Sequence, residues 1–203
     1  MRSIFILGDS ISIQYGPYLK RMTDERFLYD RKRGEEEALA DLDHPVGVNG
    51  GDSAMVLDYL KSEQARGTRY DLLLLNCGLH DLKTDPGTGE KQVPPDQYRR
   101  NLEEIVIIAR EMTQAVIWLR TTDAVEEIHN ARIAAFHRYH DDVVAYNAIA
   151  DEVMSRHAVA ALDLYAFTRT FGSDAFCDHV HYTEEVRRLQ AAYITGYLER
   201  FCL

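Results

Sequence analysis

No apolar run in this 203-residue chain approaches the roughly 18 residues that mark a candidate membrane-spanning helix, so no span is expected. Basic side chains are also in short supply. Against 33 Asp and Glu there are 23 Lys and Arg, a formal net charge of -10. Such a chain repels phosphate backbones at long range, and no basic stripe offsets that field, which argues against a nucleic-acid partner. The densest basic stretch, Tyr29–Arg33, runs straight into Glu35, Glu36 and Glu37 and reads as a solvated loop. Only three cysteines are present (Cys77, Cys177 and Cys202), an odd number without metal-ligand spacing; reduced, mostly buried thiols are expected. The charged-then-apolar pattern of a secretory signal does not precede the first strand, and the expected location is cytoplasmic. No repeat or low-complexity linker divides the chain, and its length suits one domain over residues 1–203.

What the chain does contain is an alternation of short apolar runs and helical patterns. Ser3–Leu7 (SIFIL) reads as a buried strand stopped by Gly8, with a helix expected around Gln14–Met22. Residues 28 to 43 are charged and poorly periodic, which suggests a loop; Pro45–Asn49 is the candidate second strand. Gly50-Gly51 ends it, and Asp52 or Ser53 can cap the helix that follows. Asp71–Cys77 (DLLLLNC) is apolar without alternation, as befits a central strand of a parallel sheet covered on both faces. A long loop with Pro86, Gly87, Gly89, Pro94 and Pro95 comes next, then a helix over Tyr98–Thr113 and a strand at Ala115–Leu119. Helices over Glu126–His137 and Asp142–Arg156, a strand at Val159–Leu162 and a closing helix over Thr183–Phe201 complete the pattern. The expected fold is therefore α/β: a mostly parallel sheet of about five strands between two helical layers.

Parallel sheets of this kind carry their working residues at the carboxyl ends of the strands. Those ends hold Asp9 and Ser10; Asn49, Gly50 and Gly51; and Gly78, His80 and Asp81, while Asp178 and His181 precede the closing helix. Together they supply a hydroxyl, an imidazole, a carboxylate and possible oxyanion donors, the parts that acyl transfer needs. Ser10 is a weak nucleophile without a base, and His181 is the candidate base. Asp178, three residues away, can fix the tautomer of His181 and stabilise its imidazolium form. The backbone N–H groups of Ser10 and Gly51 and the ring N–H of His80 are candidate donors to the oxyanion. Asn49 and His179 are candidate substrate contacts. Each has a plainer reading: Ser10 as a helix cap, Gly50-Gly51 as an ordinary turn, and Asp178–His181 as a surface turn.

The joint pattern resembles the SGNH, or GDSL-type, hydrolase superfamily of serine esterases. Gly8–Ile11 (GDSI) looks like its first block, Asn49–Ser53 (NGGDS) its second, Gly78–Asp81 (GLHD) its third and Asp178–His181 (DHVH) its last. The third block departs from the family pattern GxND, with His80 at the asparagine position, where a side chain normally donates to the oxyanion. A neutral imidazole can donate as well. The stretches QYGPYL, YNAIADEVM and DLY add softer likeness. The resemblance implies a flavodoxin-like three-layer fold, with Ser10 as nucleophile and Asp178 and His181 as acid and base. It implies no cofactor and no metal. The implied substrate is a small-molecule or carbohydrate ester, reached in a shallow crevice beside the loop from Leu82 to Pro95 that suits O-acetyl or short acyl groups.

Two other classes stay open. A metal-dependent hydrolase could use Asp178, His179, His181 and Asp9, with His80 or His44 adding a ligand, and would be silenced by a chelator. A non-catalytic α/β protein that binds a sugar or a partner protein would leave Ser10 unlabelled by a serine-directed phosphonate.

Overall fold

The computed structural model describes residues 1–34 and 47–201. Five parallel strands form one sheet: β1 (Arg2–Leu7), β2 (Phe27–Arg31), β3 (Tyr70–Leu75), β4 (Thr113–Leu119) and β5 (Ala160–Leu162). Their order across the sheet is β2-β1-β3-β4-β5. The chain thus builds outward from β1 in one direction, then returns and builds in the other. The reversal falls between β1 and β3, where the connections leaving the two strand ends diverge and open a crevice.

Side-chain alternation along the central strands divides the core in two. Phe5, Leu7, Leu73 and Leu75 point into one layer, against α2 (Ser53–Ala65), α3 (Pro95–Met112) and α5 (His140–Arg156). Ile4, Ile6, Leu72 and Leu74 point into the other, against α1 (Ser10–Thr23) and α7 (Glu184–Phe201). This is the three-layer α/β/α arrangement expected from the continuous apolar run in β3, since both faces of that strand are covered. Burial of each such leucine contributes about 1.5–3 kcal/mol. Among the described residues, no helix is long and apolar enough to cross a membrane.

Four expectations are corrected. The second strand is Phe27–Arg31, within the stretch read as a loop; it is an edge strand, with Leu28 exposed and Tyr29 and Asp30 half-buried, so one-sided burial weakens its apolar signal. Gly47 and Val48 form a turn, while Pro45 and Val46 lie outside the described residues. Helix α1 begins at Ser10, not near Gln14, because the Asp9 carboxylate caps it by accepting the Ile11 N–H at 3.0 Å. Helix α4 (Glu126–Arg132) ends before His137, and a further helix, α6 (Leu164–Arg169), is capped by Asp163 through the Ala166 N–H. Of the thiols expected to be mostly buried, Cys77 is buried and Cys177 exposed, while Cys202 lies outside the described residues.

Candidate active site

The acid and the hydroxyl that end β1 have different tasks. Asp9 is buried and takes the capping position, which leaves the Ser10 hydroxyl free of the helix. Burial pushes the Asp9 carboxyl up from its ordinary range, opposed by the Ile11 N–H and by the charges of Arg138 and His181. Ser10 Oγ lies 3.0 Å from His181 Nε2, across 171 residues of sequence.

The opposite ring nitrogen, His181 Nδ1, lies 2.7 Å from Asp178 Oδ2. The other carboxylate oxygen, Oδ1, accepts the N–H groups of Val180 and His181, each at 2.7 Å. The turn therefore folds onto its own acid. Burial raises the pKa of Asp178, but those N–H groups and the imidazole outweigh it and hold the carboxyl at about 2. An ionised carboxylate only accepts, so neutral His181 carries its proton on Nδ1 and presents an acceptor to the serine. The Cys177 N–H donates to the His181 carbonyl at 2.9 Å, closing the base of the turn.

The candidate oxyanion donors are differently placed. The Ser10 N–H, in the first turn of α1, has no acceptor among the described residues. The Gly51 N–H, expected to face substrate, donates to Asn49 Oδ1 at 2.8 Å, so these two candidates engage each other. Gly51 has φ +75°, a backbone conformation that favours glycine; the nearest side-chain atom to a Cβ there, Met55 Sδ, belongs to an exposed and movable side chain. The half-buried ring of His80 has no hydrogen-bond partner among the described residues. Burial, with the charges of Lys83 and Arg138, lowers its pKa to about 3, which keeps it neutral at ordinary pH.

The loops bearing these groups are tied together by single hydrogen bonds. The Gly50 N–H donates to the Gly8 carbonyl at 2.8 Å, and the Ser53 N–H to Asp81 Oδ1 at 2.8 Å. Asp81, which could have capped its own turn, thus holds the start of α2 against the end of β3. At Gly78, φ +143° and a Cβ position 2.6 Å from Thr121 Oγ1 both demand glycine. Thr121 is itself gripped by Asn147, whose carboxamide accepts its N–H at 2.9 Å and donates to its carbonyl at 2.8 Å.

Burial raises the pKa of Asp81 to about 7, the charge of Asp52 adding to it and the Ser53 bonds opposing it. Between an ordinary carboxylate value of about 4 and this one, the folded chain holds a proton that the unfolded chain releases, so stability falls as pH rises through that window. Asp81→Asn keeps an oxygen for the Ser53 N–H and removes the titration. The variant's stability relative to wild type is expected to rise from about pH 4 to about pH 7 and then level off. Urea unfolding at intervals across that range measures the difference; a constant offset would contradict the assignment.

His179 is not open to substrate as expected. Its ring is buried, and its Nδ1 lies 2.8 Å from Nδ1 of His129, a fully buried residue of α4. Among the described residues no three His, Cys, Asp or Glu side chains converge as a metal site would require. His44 lies outside them. Sequence reasoning missed Arg138, His129, Asn147 and Thr121. YNAIADEVM contained Asn147, but its partner, 26 residues away, could not be read from spacing.

Compared by sequence, the chain matches no protein-family model and no curated protein. Compared by structure, the chain shares its three-layer fold with solved lipases, esterases and acylhydrolases. A lipase/acylhydrolase from Enterococcus faecalis superposes with a TM-score of 0.72 at 20% identity, covering 98% of this chain and 95% of that one. A carbohydrate acetylesterase from Sinorhizobium meliloti gives 0.71 at 10% identity, covering 99% of this chain and 100% of that one. A member of the lipolytic G-D-S-L family from Veillonella parvula gives 0.67 at 14% identity, covering 98% of each chain.

Proposed function

We propose that the protein is a serine-dependent carboxylic ester hydrolase that works through an acyl-enzyme, as one catalytic domain. The observation that carries this reading is the linear series Ser10 Oγ–His181 Nε2–His181 Nδ1–Asp178 Oδ2, with links of 3.0 and 2.7 Å at a strand-to-helix junction. Ser10 Oγ attacks the ester carbonyl while its proton passes to His181 Nε2, and the resulting imidazolium is stabilised by ionised Asp178. The carbonyl oxygen becomes an oxyanion that receives the Ser10 N–H and the neutral His80 ring N–H. The Gly51 N–H joins them when the Asn49 carboxamide turns away. The tetrahedral carbon then expels the alkoxy oxygen, which takes the proton from His181 and leaves as the alcohol. Water, deprotonated by His181, attacks the acyl carbon; the Ser10 ester bond breaks, Ser10 Oγ takes the proton back from His181 Nε2, and the acid departs.

Small acyl groups, including O-acetyl groups on carbohydrates, are the proposed substrates. This rests on the resemblance of the four sequence blocks and on the carbohydrate acetylesterase among the structures of the same fold. The test is a panel of acetyl, butyryl and longer-chain aryl esters beside an acetylated oligosaccharide, with mass spectrometry of the intact protein after phosphonate treatment. Short-chain preference and one phosphonyl adduct are expected. No adduct and no hydrolysis would overturn the reading; loss of activity with a chelator alone would transfer it to a metal-dependent mechanism.

A further inference from the structure

Arg138 is a buried cation, with only 6% of its surface exposed, in a chain whose net charge is strongly acidic. Its backbone is pinned at both ends by one side chain: Asn130 Oδ1 accepts its N–H at 2.9 Å, and Asn130 Nδ2 donates to its carbonyl at 3.0 Å. Its Nε donates to the Leu79 carbonyl at 2.9 Å, one residue before His80. The two terminal nitrogens have neither a hydrogen bond nor an ion pair among the described residues, and neither is sealed from solvent. The fork therefore ends with two unused donors at the margin of solvent.

Its charge is felt by groups from three parts of the candidate site: Asp9 after β1, His80 after β3 and His179 in the last block. Of these only Asp9 is acidic, and its carboxylate caps α1 through Ile11. A second cation stands beside Arg138. Lys83 Nζ lies 4.6 Å from the centroid of the Phe136 ring, and Arg138 Cζ lies 5.1 Å from the same centroid. Lys83 Nζ likewise has no hydrogen bond or ion pair among the described residues, and burial together with Arg138 lowers its pKa. The acids nearest to it are committed: Asp52 accepts from the Met55 N–H and Gln92 Nε2, and Asp81 accepts from the Ser53 N–H.

Removing a guanidinium from water is costly unless its donors are used, and two like charges near one ring add to that cost. An anionic oxygen group placed on the open ends of the fork would satisfy two parallel N–H donors and neutralise the pair. We propose that Arg138, assisted by Lys83, binds an anionic oxygen group carried by the ester substrate, so that the protein selects esters bearing a carboxylate, phosphate or sulfate near the scissile bond. The inference rests on the esterase reading and deepens it by naming a substrate class.

The experiment compares a hemisuccinate aryl ester with its neutral methyl-capped counterpart, in wild type, Arg138→Gln, Arg138→Lys and Lys83→Gln. Wild type is expected to favour the charged ester by roughly tenfold or more in kcat/KM, with the advantage shrinking as salt is added. Arg138→Gln should bring the ratio close to one. Arg138→Lys should retain only part of the preference, because a point charge cannot use both oxygens. Phosphorylated and sulfated alcohol esters, run alongside, identify which anion is preferred. Equal rates for the paired esters in wild type, or equal losses on both in Arg138→Gln, would overturn the proposal while leaving the esterase reading intact. If neither ester is hydrolysed, the esterase reading fails and the anion site is judged by binding. Thermal stabilisation by phosphate, sulfate or methyl succinate at constant ionic strength, lost in Arg138→Gln, then supports it; no stabilisation, or stabilisation unchanged in the variant, overturns it.

Discussion

Replacing Ser10 with alanine is expected to lower kcat/KM by about 10³-fold or more on any ester the protein hydrolyses, with the fold intact. Both parts of that expectation follow from the division of labour at the end of β1. Asp9, not Ser10, caps α1, so removing the hydroxyl leaves the capping bond to Ile11 in place. What is lost is the atom paired with His181 Nε2 at 3.0 Å and the only route to an acyl-enzyme in the proposed mechanism. A general-base mechanism with water attacking directly would tolerate the substitution far better. Melting temperature and steady-state kinetics on one purified variant separate these outcomes. A well-folded S10A protein with near-normal activity would end the nucleophile assignment, as would a phosphonyl adduct that persists in it.

The second large effect is expected at His80. Loss of one oxyanion donor typically raises the barrier by about 3–4 kcal/mol, or 10²–10³ in kcat. His80→Ala should show a drop of that size with little change in KM, because the bond matters once the negative charge has developed. His80→Asn supplies a neutral donor from a similar position and should recover much of the rate. With its pKa near 3, the wild-type ring remains neutral from about pH 4 upward, so the H80A deficit should be the same at pH 5 and pH 8. A loss confined to melting temperature would make His80 a packing residue, and a deficit that grows at low pH would mean that a charged ring, not a neutral donor, acts in the wild type.

Most of the sheet was legible because β1, β3 and β4 are buried on both faces, and continuous apolar runs record that directly. The edge strand β2 was not, since Leu28 and Asp30 face outward and the adjoining charges resemble a loop. Helix α6 was hidden by its brevity, although Asp163 before it is a capping residue in plain view. For the candidate site, short local motifs were readable: Asp9-Ser10 and Gly78–Asp81 at strand ends, and Asp178–His181 just before the closing helix. Pairings that depend on docking of distant elements were not. His129 meets His179 across 50 residues, and Arg138 reaches Leu79 across 59. No local pattern distinguishes such an arginine from a solvated one.

The hydrogen bond between residues 10 and 181 has a consequence for synthesis on the ribosome. The chain emerges with its serine first, and most of the sheet can pair before the Asp178–His181 turn has been translated. Under the proposed mechanism, Ser10 has no base until that turn reaches it. A nascent chain stalled before Cys177 lacks both that base and α7, which covers Ile4, Ile6, Leu72 and Leu74 on one face of the sheet, so under the proposed mechanism it is unreactive until the final turn and helix are released and dock. Reactivity toward a phosphonate therefore reports completion of the chain, whereas far-ultraviolet circular dichroism reports only that the sheet and its first helices have formed. Comparing the two on stalled chains of increasing length should reveal a sharp onset of labelling that follows, and does not track, the gradual gain of secondary structure.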